Sequence, residues 1–259
     1  MRSRDPRDAP LTRRADLLPD QLAHPPLGTR RAGEHPVRAG ATGTGDDLLV
    51  LAWSAAELAR ERAAGTRVLR RLGVGPGMRI ANTLPGALAT PGSLLFGDVV
   101  EELGALDVPL GTVEDAAAAR AAWELFDRVR PDVLVLADGR ALFADPPAAP
   151  RPWWRGIVWL RTGPGPAQSE LPVAAGFTGW QRLWLAVPEV TSFVGSSCAA
   201  GRLHVDERVV AEVADADPGT LVLTPLDRDG PSFRFATGIA ARVVPACPCG
   251  EPGVALELR

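Results

Sequence analysis

All three cysteines of the sequence lie in two short motifs whose residue types could bind a metal ion. Cys198 and His204 form a C-x5-H motif, and Cys247 and Cys249 form a C-x-C motif. Three thiolates and one imidazole make a complete tetrahedral ligand set for structural zinc, with no open position for a reactive water. The same residues could equally be buried thiols beside a packed histidine, or a redox-sensitive thiol pair. Spacing by itself leaves these three interpretations open.

The elements that must position these motifs change in character along the chain. Residues 1–47 are rich in Arg, Pro, Gly and Asp, and they predict an irregular lead-in. Strands and capped helices alternate over residues 48–192, which predicts an α/β core with a parallel sheet covered by helices. Short alternating strands over residues 193–259 predict a small antiparallel β subdomain, which contains both Cys/His motifs.

Individual elements of the predicted core follow from apolar runs and helix caps. The predicted strands are Leu48–Trp53, Arg79–Leu84, Asp107–Leu110 and Asp132–Leu136. Ser54 and Glu57 form a capping box for a helix that continues to about Leu72. Two more helices are predicted, at Ser93–Leu103 and from a cap at Thr112–Asp115 to about Arg130.

Composition excludes several classes of function. All 28 basic residues are arginine, and the sequence contains no tyrosine, so Schiff-base chemistry, a Walker-type loop and acid/base steps by Lys or Tyr are excluded for this chain. The net charge of −3 argues against a nucleic-acid partner and against binding to an anionic membrane. No apolar run is long enough for a membrane span or follows the charged N-terminus as in a signal peptide. With three cysteines in addition, we expect a cytoplasmic protein.

Several linked segments together resemble the adenylate-forming ligases of the phenylacetate-CoA ligase type. They follow the order and approximate spacing of that family, and they are His24–Gly28, Leu72–Gly111, Arg130–Leu136, Cys198–His204, Gly219–Leu226, Pro231–Gly238 and Pro245–Gly250. The resemblance covers most of residues 11–251. It implies an abbreviated form of the large α/β domain of these ligases, and ATP-dependent activation of a carboxylic acid as the ancestral activity.

The resemblance identifies residues 40–47 (GATGTGDD) as the counterpart of the loop that wraps the ATP phosphates in the family. Its candidate nucleotide-binding residues are Thr42, Gly43, Thr44 and Gly45. The family loop ends in Lys-Pro, whereas Asp46 and Asp47 stand there in this sequence. Two carboxylates repel a polyphosphate, so the alternative is a plain surface turn.

Two further nucleotide elements of the family are only partly kept. Of the Tyr-Gly-x-Thr-Glu motif only Glu189 remains, and the resemblance makes it the candidate catalytic residue. Of Arg-Tyr-Arg-Thr-Gly-Asp the sequence keeps Arg234 as a candidate nucleotide contact, or as a purely structural arginine. Ile239 replaces the aspartate that takes the ribose hydroxyls in the family, and it can accept no hydrogen bond. We therefore expect ATP or AMP binding to be impaired.

The resemblance also bears on the metal and on the end of the chain. Family members carry the same residue types at both Cys/His motifs, which favours structural zinc at Cys198, His204, Cys247 and Cys249. They continue beyond the second motif into a mobile C-terminal lid that supplies a catalytic lysine. We expect this chain to lack that lid.

These departures lead to three functional hypotheses. The first is a degenerate ligase relative without autonomous adenylation, acting as an accessory, binding or scaffold protein in acyl or secondary metabolism. The second is an acyl-adenylating or acyl-CoA ligase completed in trans by a protein partner, and the third is a new acyl-transfer or hydrolytic activity in the old pocket. The expected partners are a biosynthetic enzyme or lid-bearing ligase and a small carboxylic acid or acyl thioester, with homodimerisation left open.

Overall fold

The structure, a computed structural model, describes residues 8–29, 35–86, 90–147, 151–164, 170–174, 176–214, 219–227 and 233–259. The helices are α1 (Arg14–Ala23), α2 (Ala55–Arg71), α3 (Ser93–Glu102), α4 (Ala116–Val129), α5 (Arg140–Ala144) and α6 (Glu170–Ala174), with a 3-10 turn at Gly45–Asp47. The strands are β1 (Leu11–Thr12), β2 (Arg38–Thr42), β3 (Leu49–Trp53), β4 (Arg79–Asn82), β5 (Leu106–Pro109), β6 (Val133–Leu136), β7 (Gly156–Arg161), β8 (Trp180–Val187), β9 (Thr191–Ser197), β10 (Leu203–Val205), β11 (Val209–Ala214), β12 (Gly219–Pro225), β13 (Arg234–Val244) and β14 (Ala255–Leu258).

Most strands belong to one mixed sheet with the order β11-β12-β13-β14-β10-β9-β8-β7-β6-β4-β5. Strands β5, β4, β6, β7 and β8 pair in parallel, and the pairing is antiparallel from β8 onward to β11. The predicted fold class is therefore confirmed, with a parallel α/β sheet and an antiparallel C-terminal β region.

Alternating side chains of the parallel strands explain why helices cover both faces of the sheet. In β6, Val133 and Val135 pack in one buried cluster with residues of α2 and α3, whereas Leu134 and Leu136 pack in another with residues of α4 and α5. A strand buried on both faces needs apolar residues at every position, because successive side chains point to opposite faces. This accounts for the continuous apolar run that identified β6 in the sequence.

Helix caps lie where the sequence predicts them. The Ser54 side chain accepts a hydrogen bond from the Glu57 backbone N–H at 3.1 Å, and Glu57 accepts one from the Ser54 N–H at 2.8 Å. At α4 the Asp115 carboxylate accepts from the Ala118 N–H at 2.8 Å. These caps fix the start of each helix by satisfying N–H groups that have no partner within the helix.

The structure differs from the irregular segment expected over residues 1–47, because that segment contains β1, α1, β2 and the 3-10 turn. No residue of α1 is buried, and Pro19 lies inside it, so the local pattern carried no helix signal. Tertiary contacts hold the helix instead: the Gln21 side chain donates to the Val50 carbonyl at 2.8 Å and accepts from the Val50 N–H at 2.9 Å.

Two other expectations concern strands. The predicted strand at Leu48–Trp53 exists as β3, but it pairs antiparallel with β2 in a separate two-stranded sheet instead of joining the parallel core. Strand β9 runs across the expected boundary between residues 192 and 193, and it pairs with β8 on one side and β10 on the other. Among the described residues, no helix has the length and apolarity to cross a membrane.

Candidate functional site

The two Cys/His motifs meet in space at the ends of the antiparallel strands. Cys198 begins the short turn between β9 and β10, and His204 is the central residue of β10. Cys247 and Cys249 follow β13, where the Gly250 N–H donates to the Cys247 carbonyl at 3.1 Å. The two motifs are more than forty residues apart in the sequence. The pairing of β10 with β14 and of β14 with β13 brings them together.

The four donor atoms have the spacing of a metal centre. One ligand atom from each residue lies within 4.8 Å of every other. The Sγ atoms of Cys198 and Cys247 are 3.6 Å apart, and Sγ of Cys249 is 3.2 Å from Nε2 of His204. Tetrahedral zinc with metal–sulfur bonds of about 2.3 Å separates its ligand atoms by roughly 3.5–3.8 Å. The four ligand atoms are therefore close enough together that this group could hold one metal ion.

Backbone N–H groups and neighbouring thiols shift the pKa values of Cys198 and Cys247 in opposite directions. Burial raises the pKa of Cys198, but backbone N–H groups of Arg202 and Ala200 and the two other thiols lower it, and the net result is a pKa below the usual range. For Cys247 the backbone N–H of Cys249 lowers the pKa, whereas burial and both neighbouring thiols raise it, to about 11. A bound cation would displace these protons, because thiolates are the metal-binding form.

The candidate nucleotide loop is filled by a side chain that the sequence reasoning missed. Arg14, the first residue of α1, donates from Nη2 to the Thr42 carbonyl at 2.8 Å and also to the Asp47 carbonyl. From Nη1 it donates to Glu189 Oε1, forming an ion pair. The loop and Glu189 are thus brought together, with one guanidinium between them.

Glycine is required where the loop curves around this guanidinium. Gly43 has a φ of +81°, and a Cβ atom there would overlap both Arg14 Nη2 and the Asp47 carbonyl. Thr44 precedes the 3-10 turn, and Gly45, with a φ of +57°, has open space around its Cα. The curvature directs carbonyl oxygens, which attract a cation, toward the centre of the loop.

Glu189 is buried in the tight turn between β8 and β9. Its side chain is 7% exposed, and the Val190 N–H closes the turn by donating to the Val187 carbonyl at 2.7 Å. Beside it opens a cleft of about 550 Å³, including its mouth. The cleft is lined by Leu17, Asp20, Gln21, Leu27, Leu49, Val50, Leu51, Ala52, Glu189 and Phe233.

Arg234 forms a two-point ion pair within the sheet. Its Nε and Nη2 donate to the two carboxylate oxygens of Glu212 at 3.0 and 3.2 Å. The structural alternative for Arg234 therefore has a direct geometric basis. Ile239 is fully buried in the apolar cluster of the antiparallel region, which leaves its position without a polar group for a ribose.

The sequence carries little signal for the role of Arg14. Arg14 is one of 28 arginines in the chain and lies in a segment without periodicity, so nothing in the local pattern distinguishes it. Its role arises because the parallel pairing of β1 with β13 places the start of α1 beside the loop.

Comparisons with known proteins support the fold. No protein-family model and no curated sequence matches the chain. An open conformation of 2-hydroxyisobutyryl-CoA ligase, solved with 2-HIB-AMP and CoA, is similar with a TM-score of 0.78 and 17% identity, over 96% of this chain and 62% of that one. The N-terminal domain of FACL13 from Mycobacterium tuberculosis is similar with a TM-score of 0.61 and 14% identity, over 95% of this chain and 66% of that one.

A third similar structure is O-succinylbenzoate coenzyme A synthetase (MenE) from Bacillus subtilis in complex with AMP, with a TM-score of 0.56 and 12% identity. It is matched over 88% of this chain and 50% of its own length. The chain spans about three fifths of the length of 2-hydroxyisobutyryl-CoA ligase. At these identities the likeness concerns architecture, and the protein has the domain fold of the adenylate-forming CoA ligases.

Proposed function

We propose that this chain is a phenylacetate-CoA ligase-like protein that does not catalyse adenylation by itself, and that it acts as an accessory or binding protein for acyl groups. The carrying observation is the Arg14 guanidinium inside the loop that would have to wrap the ATP phosphates. A phosphate-binding loop directs backbone N–H groups at the anion. This loop directs the Thr42 and Asp47 carbonyls at a cation, which is the opposite polarity.

Charge near the loop acts in the same direction. Asp46 and Asp47 are exposed beside the loop, and Glu189 is already neutralised by Arg14. A triphosphate would have to displace this ion pair and approach two further carboxylates. The buried Ile239 removes the expected partner of the ribose hydroxyls as well. The repulsion at the loop and the missing partner of the ribose each weaken the binding of ATP in the geometry that adenylation needs.

The cleft beside Glu189 supports a binding role. Seven of its ten lining residues are apolar, and Asp20, Gln21 and Glu189 add a few polar groups, which is the usual composition of a small-molecule site. An acyl or aromatic group fits that lining better than a nucleotide does. We therefore propose a small carboxylic acid or acyl thioester as the ligand class.

We propose a structural role for the metal. Four protein side chains fill a tetrahedral set, so the cation would have no open position to polarise a substrate or activate water. Zinc fits the soft thiolate ligands, and it would hold the turn after β9 against the segment after β13.

The test is carboxylate-dependent exchange of pyrophosphate into ATP, together with a thermal-shift series of ATP, AMP, CoA and aryl acids. We expect no exchange and no shift with ATP. Exchange by the purified chain with any carboxylic acid would overturn the proposal.

The adjacent residue Arg13 provides a matched control for the role of Arg14. Arg14→Gln removes a charged partner of the buried Glu189 carboxylate, so we expect a loss of about 1–3 kcal/mol in the free energy of unfolding. The exposed neighbour Arg13→Gln should change it by less than about 0.5 kcal/mol. If Arg14 served as a phosphate ligand instead, wild type and Arg13→Gln would bind ATP and Arg14→Gln would not.

A ligase completed by a second polypeptide is the alternative, favoured by one observation. Glu189 and the loop lie side by side and are separated by a single side chain, so a partner that withdraws Arg14 would restore their access to a nucleotide. Mixing the chain with candidate ligases in the exchange assay tests this alternative. It is supported if a mixture gives more adenylate than the sum of its components.

A further inference from the structure

A carboxylate and a guanidinium lie directly behind the imidazole of the metal cluster. Glu251 follows Cys249 by two residues, and its Oε2 is 4.0 Å from Nδ1 of His204. On the opposite side of the ring, Nε2 is 3.2 Å from Cys249 Sγ. The imidazole therefore has the thiols on one side and a carboxylate on the other.

The Nδ1 atom of His204 is buried and has no hydrogen-bond partner in the described part of the chain. The side chain is only 1% exposed, so bulk water does not compensate for the missing partner. When Nε2 binds a metal, the neutral ring must carry its proton on Nδ1. That N–H group needs an acceptor, and the Glu251 carboxylate is about 1 Å beyond hydrogen-bonding distance.

Arg71 holds Glu251 in this place. Its Nε donates to Glu251 Oε2 at 2.7 Å, and its Nη1 is 3.4 Å from the His204 carbonyl. Arg71 is the last residue of α2, and its own carbonyl accepts from Arg182 Nη1 at 2.9 Å. A continuous series of polar contacts thus leads from the imidazole to the C-terminal end of α2.

We propose that Glu251 is the outer acceptor that orients His204 on the metal, and that Arg71, through Glu251, couples occupancy of the metal site to the C-terminal turn of α2. The inference rests on the metal site proposed above, and it adds two positioning residues to that site. Carboxylate–histidine–metal arrangements fix the ring and increase its basicity, and losing the outer partner typically weakens metal binding about 10–100-fold.

An ordinary surface ion pair is the competing explanation, because the Glu251 side chain is 38% exposed. Such a pair would contribute to the metal-free and metal-loaded protein alike, and its removal would leave metal affinity unchanged. The two explanations therefore differ in metal affinity and not in stability alone.

The first experiment measures the dissociation constant of zinc by competition with a chromophoric chelator. We expect Glu251→Ala to bind zinc about 10–100-fold more weakly than wild type, with Glu251→Gln intermediate because its amide oxygen still accepts a hydrogen bond. Asp127→Ala is the matched control, since it removes the α4 carboxylate that pairs with Arg151, away from the Cys/His group. It should leave zinc affinity unchanged.

The second experiment tests the coupling to α2. Zinc should slow amide hydrogen exchange in the last turn of α2 in wild type, and Arg71→Ala should abolish that protection while zinc remains bound. In the double variant Arg71→Ala/Glu251→Ala, zinc affinity should equal that of Glu251→Ala, since Arg71 acts through Glu251.

The outcomes separate this inference from the proposals above. Stoichiometric zinc binding by wild type with unchanged affinity in Glu251→Ala would overturn the roles of Glu251 and Arg71 and leave the metal site intact. Failure of wild type to bind zinc or cobalt(II) would overturn the metal site as well. Neither result depends on nucleotide exchange, which tests the loss of adenylation separately.

Discussion

Single residues decide the character of the loop at the predicted nucleotide site. The Arg14 guanidinium donates to two backbone carbonyls and to the Glu189 carboxylate. Its positive charge is therefore balanced by oxygen atoms that would repel a phosphate. The sequence indicates the loop and Glu189 through their resemblance to ligase motifs, but nothing local indicates the arginine that joins them. Arg14 is 28 residues from Thr42 and 175 residues from Glu189 in the sequence, so it becomes their neighbour only after folding.

Two glycines of this loop provide a matched prediction at the residue scale. Gly43→Ala places a Cβ against Arg14 and the Asp47 carbonyl, at a φ of +81°, so we expect it to lower the free energy of unfolding by about 2–4 kcal/mol. Gly45→Ala has a positive φ of +57° but open space, so its cost should be about 1 kcal/mol. Urea denaturation measures both, and equal losses would contradict the close packing of Arg14 on Gly43.

At the scale of the elements, Asp132 links the starts of three neighbouring strands, β4, β6 and β7. Its carbonyl accepts from the Arg155 and Gly156 N–H groups at 2.9 and 3.2 Å, which aligns β6 with β7. Its carboxylate accepts from the Arg79 backbone N–H at 3.0 Å and from Arg79 Nε at 3.1 Å, which aligns β6 with β4. The sequence predicted β4 and β6, but it predicted neither β7 nor the residue that sets the relative register of the three strands.

Asp132 also predicts how stability depends on pH. Burial raises the pKa of its carboxyl, but hydrogen bonds and charge from Arg79 and Arg155 lower it, and the pKa lies below the ordinary 3.8. The stabilisation is therefore present above about pH 4 and is lost as the pH falls through the lowered pKa. Asp132→Asn should cost about 1–3 kcal/mol at pH 7 and progressively less below pH 4, as measured by denaturation at each pH.

The control for this prediction is Asp138→Asn, which removes an exposed carboxylate paired with Arg140. It should change the free energy of unfolding by less than about 0.5 kcal/mol both at pH 7 and below pH 4. A constant cost for Asp132→Asn across the acidic range would show that its charge does not contribute.

At the scale of the whole molecule, the sheet is continuous from its parallel to its antiparallel part. Trp184 of β8 is fully buried and stacks between Phe96 and Phe193, at 5.5 and 5.0 Å between ring centroids. We expect one cooperative unfolding transition. If the parallel or the antiparallel part of the sheet unfolded alone, the pairing of β8 with β9 would break and the core around Trp184 would be exposed. Denaturation followed by tryptophan fluorescence and by far-UV circular dichroism should give coincident curves, and separated midpoints would contradict a shared core.

Metal removal should lower the stability of the whole molecule. A ligand present at a thousand times its dissociation constant stabilises the folded state by about 4.1 kcal/mol, which corresponds to about 8–16 °C for a chain of this size. We expect a chelator to lower the Tm of wild type by that amount. Cys249→Ser removes one of the four ligands, so its Tm should start lower and respond far less to the chelator.

The sequence by itself determined the alternation of strands and helices, the helix caps at Ser54 and Asp115, and the residue types of the Cys/His group. These depend on local periodicity, on hydrogen bonds within one helical turn and on side-chain chemistry, which a linear sequence contains. Tertiary structure alone decided that α1 forms without a fully buried residue, that β3 leaves the parallel sheet, and that Arg14 enters the loop. It also placed Glu251 behind His204. Each of these depends on contacts between distant segments, whose energies no local pattern encodes.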